Sequence, residues 1–354
     1  MSKSVTQQLL SQLDIDFPLL LAPMAGGIST PELVASVSNQ GCLGSLGGGY
    51  LSAAQLEQQI QQTKKLTIKA FGVNLFIPGA PIVNPQAIML MQHKLNRFRR
   101  ELGIPEQESF VFPASHFQQQ MDVILAADLP VFSFAFGILE PRYMQALKAR
   151  QTFVIGTATN LEEAKALAAS GCDAIVAQGV EAGGHRGTFI GDPAQSLMGL
   201  MTLTQQLLAN ITLPVIAAGG IRDGAGLKAA LTLGAAAVQM GSAFLICPES
   251  GAAEAYKTIL IESEGEDTVL TNTFSGKLAR GINNTFIKTM QADNGILSYP
   301  QQHYLTMDIR KAAAQQDKPE YLSLWAGQGV GLLRDRSRSV KTIIDDIKHA
   351  VTSI

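Results

Sequence analysis

The sequence predicts an α/β protein: a (β/α)8 barrel of the TIM type with a smaller helical insertion domain near its C-terminus. Three observations carry this. Short apolar runs of strand length alternate with helical patterns eight times within residues 1–248. The runs are continuously apolar, as strands of a parallel sheet buried on both faces must be. Most of them end in glycine, which lets a strand turn sharply into the next helix. The barrel is expected over residues 1–248, a helical lid over 249–319, and a C-terminal segment, 320–354, that returns to the barrel wall.

Residues 5–13 read as a short amphipathic helix over the barrel floor. Leu19-Leu20-Leu21-Ala22-Pro23-Met24 is the first strand and ends in Ala25-Gly26-Gly27. In the helix that follows, Thr30 is the N-cap, Pro31 occupies the first turn and Gly41 marks the stop. Residues 43–46 form a second strand before Gly47-Gly48-Gly49, and Ser52 with Gln55 makes a capping box for a helix to about Lys65. Residues 68–75 form the third strand, closing on Asn74.

Residues 77–120 are less regular. Pro78, Pro81, Pro85 and Pro105, with the basic cluster Arg97, Arg99 and Arg100, read as a loop and a solvated helix. The rhythm resumes with strands over 129–136 and 152–156, a helix opened by Pro141, and one capped by Asn160 with Glu163 and stopped by Gly171. The sixth strand, Ala174-Ile175-Val176, leads into a loop that holds Gln178, Gly179, Glu181, Gly183, Gly184, His185, Arg186 and Gly187. A helix over 194–209, a strand ending in Gly219-Gly220, a helix capped by Asp223 and a strand ending in Gly241-Ser242 complete eight units. A final amphipathic helix is expected over 338–350.

The 354 residues are 46% hydrophobic and 16% charged, enough for one large domain with an appendage. A formal charge of −2 gives no electrostatic reason to expect nucleic acid or an anionic membrane surface. Cys42, Cys172 and Cys247 are odd in number and far apart, so neither a disulfide framework nor a zinc knuckle is indicated, and buried thiols are expected. No signal region and no bilayer-length apolar run is read, which predicts a cytoplasmic protein.

In barrels of this class the loops after the seventh and eighth strands commonly bind phosphate through backbone N–H groups. Gly219-Gly220 and Gly241-Ser242 sit at those two places, and the alternative is that they only permit tight turns. A phosphate anchor with several main-chain approaches to a flat ring suggests FMN. Ala22-Pro23-Met24 could lie along one face of the ring, and Asn74 and Gln178 could hydrogen-bond its polar edge. Taken singly, each serves equally well as an ordinary structural polar group; their joint position at the barrel mouth favours the site. His185 lies in a glycine loop at the end of the barrel where catalysis takes place, which favours a functional role. No second histidine or carboxylate stands at ligand spacing, so no metal is expected.

These segments resemble the nitronate monooxygenase family, older name 2-nitropropane dioxygenases, of the bacterial class I. The resemblance rests on Ala22-Pro23-Met24-Ala25-Gly26-Gly27, Gly72-Val73-Asn74-Leu75-Phe76 and Ser133-Phe134-Ala135-Phe136-Gly137. Gln178 through His185, Ala218-Gly219-Gly220-Ile221, Gln239-Met240-Gly241-Ser242 and Trp325-Ala326-Gly327-Gln328 extend it over nearly the whole chain. It implies non-covalent FMN and oxidation of alkyl nitronates, such as propionate 3-nitronate, by O2 to carbonyl compounds with nitrite or nitrate. It also implies FMN contacts at Met24, Asn74, Gln178, Gly183, Gly220, Gln239, Met240, Gly241 and Ser242, and His185 as the catalytic residue. The expected partners are a small-molecule substrate and O2, in a monomer or homodimer. The rival reading is a flavin-dependent enoyl-acyl-carrier-protein reductase using NAD(P)H, which is similar in fold. Lys277, Tyr299 and Tyr304 are candidates to shape the substrate space, with packing roles as the alternative.

Overall fold

The apolar runs pair into a single sheet. A computed structural model describes residues 4–79, 84–292, 295–332, 335 and 337–352. Its strands are β1 (Leu19–Leu21), β2 (Gly44–Gly47), β3 (Phe71–Phe76), β4 (Val131–Ala135), β5 (Phe153–Ala158), β6 (Ala174–Gln178), β7 (Gly184–His185), β8 (Val215–Ala218), β9 (Ala237–Met240), β10 (Thr268–Thr271) and β11 (Ala279–Ile282). Eight of them form a parallel sheet in the order β1-β9-β8-β6-β5-β4-β3-β2. A parallel bridge from Leu20 to Leu43 closes the sheet on itself, with Leu21 N–H donating to the Leu43 carbonyl (2.8 Å) and Leu43 N–H to that of Leu19 (3.0 Å).

The pleat divides each strand between two cores. Leu19, Leu21, Val215 and Ala217 pack outward under the helices, while Leu20, Ile216, Ala218 and Val176 fill the interior. The helix Val5–Leu13 plugs the floor with Leu9 and Leu13, fully buried against those interior residues. The expected caps form: Thr30, Asn160 and Asp223 each accept from the N–H three residues on, and Ser52 with Gln55 makes the capping box. The three cysteines are free and buried, and burial pushes their thiols up to about 12, 11 and 12 in chain order.

Two expectations need correction. The third strand starts later than expected, at Phe71, and Ile68 is fully exposed outside it. The helix expected over 194–209 spans only Leu200–Leu208, because both Glu181 carboxylate oxygens accept from Leu200 N–H (3.0 Å) and fix the start there.

The larger difference lies in residues 77–120, of which Pro81 is outside the described residues. The helix Pro85–Glu101 is not merely solvated. Its Ile88, Met91, Leu95 and Phe98 join Phe274, Phe286, Leu305 and Ile309 in a second hydrophobic core. Arg99, expected on a solvated basic face, is fully buried. Its Nε donates to Asp308 (2.8 Å), Nη2 to the Leu305 carbonyl (2.9 Å) and Nη1 to Asn96 (2.8 Å). The cationic partner of Asp308 thus comes from a helix more than 200 residues earlier, a pairing that local pattern does not reveal. The later segment also carries, besides its helices, the hairpin β10–β11, whose second strand pairs antiparallel with β7.

Removing one partner of a buried ion pair strands the other. Arg99→Met is expected to cost about 3 kcal/mol, the low end for such a loss, because Asp308 keeps 31% of its side chain exposed. Arg100→Met, whose pair with Glu106 is exposed at both ends, should cost about 1 kcal/mol or less. Urea midpoints of the two variants measure the difference; equal midpoints would remove Arg99 as a tie between the two segments.

Candidate active site

One loop, residues 179–187, shapes the C-terminal mouth of the barrel. Gln178, the last residue of β6, reaches across it. Its Nε2 donates to the His185 carbonyl (2.9 Å), and its Oε1 accepts from Gly187 N–H (2.7 Å). Arg186 locks the same turn from beneath: Nη1 donates to the carbonyls of Gln178 (3.0 Å) and Gly179 (2.6 Å), and Nη2 to that of Ser196 (3.0 Å). Arg186 is fully buried. Burial pulls it down to about 10, against the carboxylates of Glu163 and Glu181, so it stays cationic at neutral pH. Buried Glu163 holds the next stretch by accepting from the N–H groups of Phe189 (2.5 Å) and Ile190 (3.0 Å).

The loop then delivers His185 to the second sheet, opposite Ala279 of β11. Its Nε2 hydrogen-bonds Ser275 Oγ (2.8 Å). His185 is half-buried, and desolvation, then the cations of Lys277 and Arg310, pull it down to about 3. The imidazole is therefore neutral throughout the physiological range. Lys277 donates from Nζ to the Thr188 carbonyl (2.8 Å) and lies 4.5 Å from the centre of the Phe136 ring. Burial lowers it to about 8.

Around His185 the aromatic side chains close into a collar. The sequence of neighbouring ring centres runs His185–Phe136 (6.1 Å), Phe136–Phe76 (4.4 Å), Phe76–Tyr50 (5.4 Å), Tyr50–His303 (4.1 Å), His303–Tyr299 (6.3 Å) and Tyr299–His185 (6.2 Å). Trp325 adds a contact to His185 at 5.2 Å. Phe136 holds φ at +76°, a left-handed conformation that a bulky side chain rarely adopts. Residues 50–185 supply four rings of the collar, from strand ends and the loops beside them, and the later segment supplies Tyr299 and His303. Tyr304 stands behind His303, against Phe110 and Phe112.

The residues expected around FMN gather at the same end. Asn74 is buried; its Nδ2 donates to Ser133 (2.9 Å), and its Oδ1 has no partner among the described residues. Met24 lies beside Gly241, where an added Cβ would stand 3.7 Å from the Met24 sulfur and 3.3 Å from Ala22 Cβ. Gln239 is half-buried in register with Leu20 and Ala218, whereas the Met240 side chain points away into the outer core. Gly220 turns at φ +70° beside Glu181. The segment Trp325–Gln328 docks on this end: Gly327 N–H donates to Ser242 Oγ (2.9 Å), and Gln328 N–H to the Glu181 carbonyl (3.0 Å). A Cβ on Gly183 would lie 2.5 Å from Gly327 N, so only glycine admits this docking.

The sequence pattern missed Tyr50, Ser275, His303 and Arg310. Tyr50 directly follows Gly47-Gly48-Gly49 and His303 lies between two noted tyrosines, which is some signal; Ser275 and Arg310 carry none. Among the described residues no cluster of His, Cys, Asp or Glu could hold a metal ion, and no helix is long and apolar enough to cross a membrane.

The profile of the family described as nitronate monooxygenase matches residues 7–349. A probable nitronate monooxygenase of Staphylococcus aureus (strain Newman) is 43% identical over 349 residues, covering 98% of each chain. Among solved structures, the nitroalkane oxidase from Streptomyces ansochromogenes superposes with a TM-score of 0.87 at 34% identity, covering 98% of this chain and 99% of its own. FabK from Thermotoga maritima follows with a TM-score of 0.77 at 29% identity, covering 100% of this chain and 97% of its own. With its barrel, its glycine–histidine loop and a family match over nearly its whole length, the chain belongs to the nitronate monooxygenase family and is an oxidoreductase, and that membership implies a flavin cofactor.

Proposed function

We propose that this enzyme holds FMN at the barrel mouth and oxidises alkyl nitronates, such as propionate 3-nitronate, with O2 to carbonyl compounds and nitrite or nitrate. The observation that carries the reading is the charge of the chamber: a neutral His185 near two cations, Lys277 and Arg310, inside an aromatic wall. That arrangement attracts an anion. A nitronate is already deprotonated at carbon and asks for no strong base. A neutral nitroalkane must first lose its α-proton, and an imidazole held down to about 3 is poorly matched to that task near pH 7.

The residues present fit a flavin. Asn74 Oδ1 accepts from no described residue, and Gln178 uses only one of its two amide protons, so both can meet a polar ring edge. Gly219 and Gly220 turn at φ +124° and +70°, and Gly241 stands as an N-cap without a side-chain hydrogen bond, which leaves backbone N–H groups for a phosphate. Met24 with Ala22-Pro23 would lie along the ring, and Gly183 with Gln239 to Ser242 would line the rest. When bound, FMN would supply the redox chemistry that no side chain provides. The protein's part is to bind the anion beside His185, orient it through hydrogen bonds, and exclude water with the collar.

The likeness to FabK supports a second reading, a flavin-dependent enoyl-acyl-carrier-protein reductase using NAD(P)H. Two anaerobic mixing experiments on the yellow absorbance separate them. Rapid reduction by ethyl nitronate, by one electron or two, and none by NADH or NADPH is expected; fast reduction by a pyridine nucleotide with no nitronate response would overturn the nitronate reading. The flavin released on denaturation should be FMN, and recovery of FAD would remove the single-phosphate site.

His185→Asn should lower any activity on neutral nitroalkanes by no more than about 10²-fold, the low end for a positioned base, because an imidazole held down to about 3 is a weak one. Its effect on nitronates should be smaller. Equal small effects in steady-state assays of both substrates would make His185 structural.

Lys277 sets the pH dependence. It is protonated below about 8 and loses its charge as pH rises through that value. The kcat/KM for a nitronate should therefore fall above pH 8 in the wild type, and Lys277→Met should flatten that limb. Because His185 stays neutral down to about 3, no inflection near 6.5 is expected from it; one that disappears in His185→Asn would contradict the assignment.

A further inference from the structure

Of the two imidazoles in the collar, the chemistry above uses one. The other, His303, is 96% buried, its residual exposure being 4%, and lies across Tyr299 from His185. It stacks on Tyr50 with the rings 15° from parallel. Arg310 grips it twice: Nη2 donates to the His303 carbonyl (2.9 Å) and stands 3.3 Å from Nδ1. A guanidinium has donors and no lone pair to offer, so the nitrogen that faces it must be the acceptor. Nδ1 is then unprotonated. Burial and the charge of Arg310 keep the ring neutral, which puts its one proton on Nε2. No group among the described residues accepts from that Nε2. That Nε2–H is a donor that no described residue answers, and an oxygen brought into the collar can accept from it.

We propose that His303 is a substrate-binding residue: Arg310 fixes its tautomer, and Nε2–H is a donor held for an oxygen of the anionic nitro group. The proposal rests on the nitronate reading and adds to it a second contact, from the opposite segment of the collar to His185. It also gives the neutral state of this ring a purpose. A neutral donor orients an oxygen without taking or giving the proton, whatever the pH between 6 and 8. Lys277 and Arg310 supply the charge, and His303 supplies direction.

Two measurements on the flavin-loaded enzyme test this. The first is steady-state kinetics with ethyl nitronate. A hydrogen bond to a charged group is worth roughly a ten-fold to hundred-fold change in binding, so His303→Phe, which keeps a stacked ring and loses the donor, should raise KM by about that factor. Loss of a contact made equally in the ground and transition states leaves kcat within about three-fold. His303→Gln, which restores an N–H, should recover most of the KM. The second is a long-range proton–nitrogen NMR spectrum of enzyme labelled with 15N-histidine, the His303 signals being identified by their loss in His303→Gln. Those signals should show the Nε2–H form at neutral pH in the wild type, and Arg310→Met should mix the tautomers. An Nδ1–H form, an unchanged KM in His303→Phe, or a fall in kcat alone would overturn the proposal. Wild-type enzyme that leaves nitronates untouched overturns the functional reading and this one with it. Wild-type turnover with normal KM in His303→Phe overturns this one alone.

Discussion

The conformation of the glycine loop at the C-terminal mouth of this barrel depends on an amide closed upon its own loop. Gln178 ends a strand whose hydrogen bonds are already made, and its side chain then spans nine residues of sequence to hold the His185 carbonyl and the Gly187 N–H, on either side of Arg186. Arg186 does the same from below with three carbonyls. A glycine-rich loop has high conformational entropy, and neutral backbone contacts alone hold it weakly. Charge-assisted bonds from a buried guanidinium are stronger. The glycines allow the path, and Gln178 with Arg186 selects one conformation of it.

The electrostatics follow from what is kept away from the chamber. Two carboxylates near the cations are turned elsewhere: Glu163 accepts from backbone N–H groups, and Asp308 from Arg99 and Gln107. Lys277 and Arg310 both lower His185, and Arg310 lowers His303, while Glu163 and Asp308 act on those two cations through space. Both histidines are pushed toward their neutral forms, by burial first and by neighbouring cations second.

The barrel was legible because its signals are local. Strand-length apolar runs, N-cap residues and glycine stops each act within a few positions, and Thr30, Ser52, Asn160 and Asp223 all cap as expected. The Gln178–His185 loop was legible for the same reason. What escaped the sequence depends on long-range pairing. Arg99 reads as one of three surface arginines until Asp308 is brought to it. Ser275 is an ordinary loop serine until the β7–β11 pairing sets it against His185. The hairpin β10–β11 escaped because its short strands, Thr268–Thr271 and Ala279–Ile282, are more polar than the barrel's and gain their partner only from the loop.

The second core has a consequence for how the chain is assembled. It joins residues 88–102 to residues 245–330, and everything from β4 to β9 lies between them in sequence. Closing so long a loop by chance carries a large entropic cost and is slow. The barrel removes that cost by bringing β3 and β9 to neighbouring regions of one closed wall, which places the start of each segment at the same rim. The smaller core thus depends on the larger one's closure, and the collar, with rings from both segments, depends on the two together.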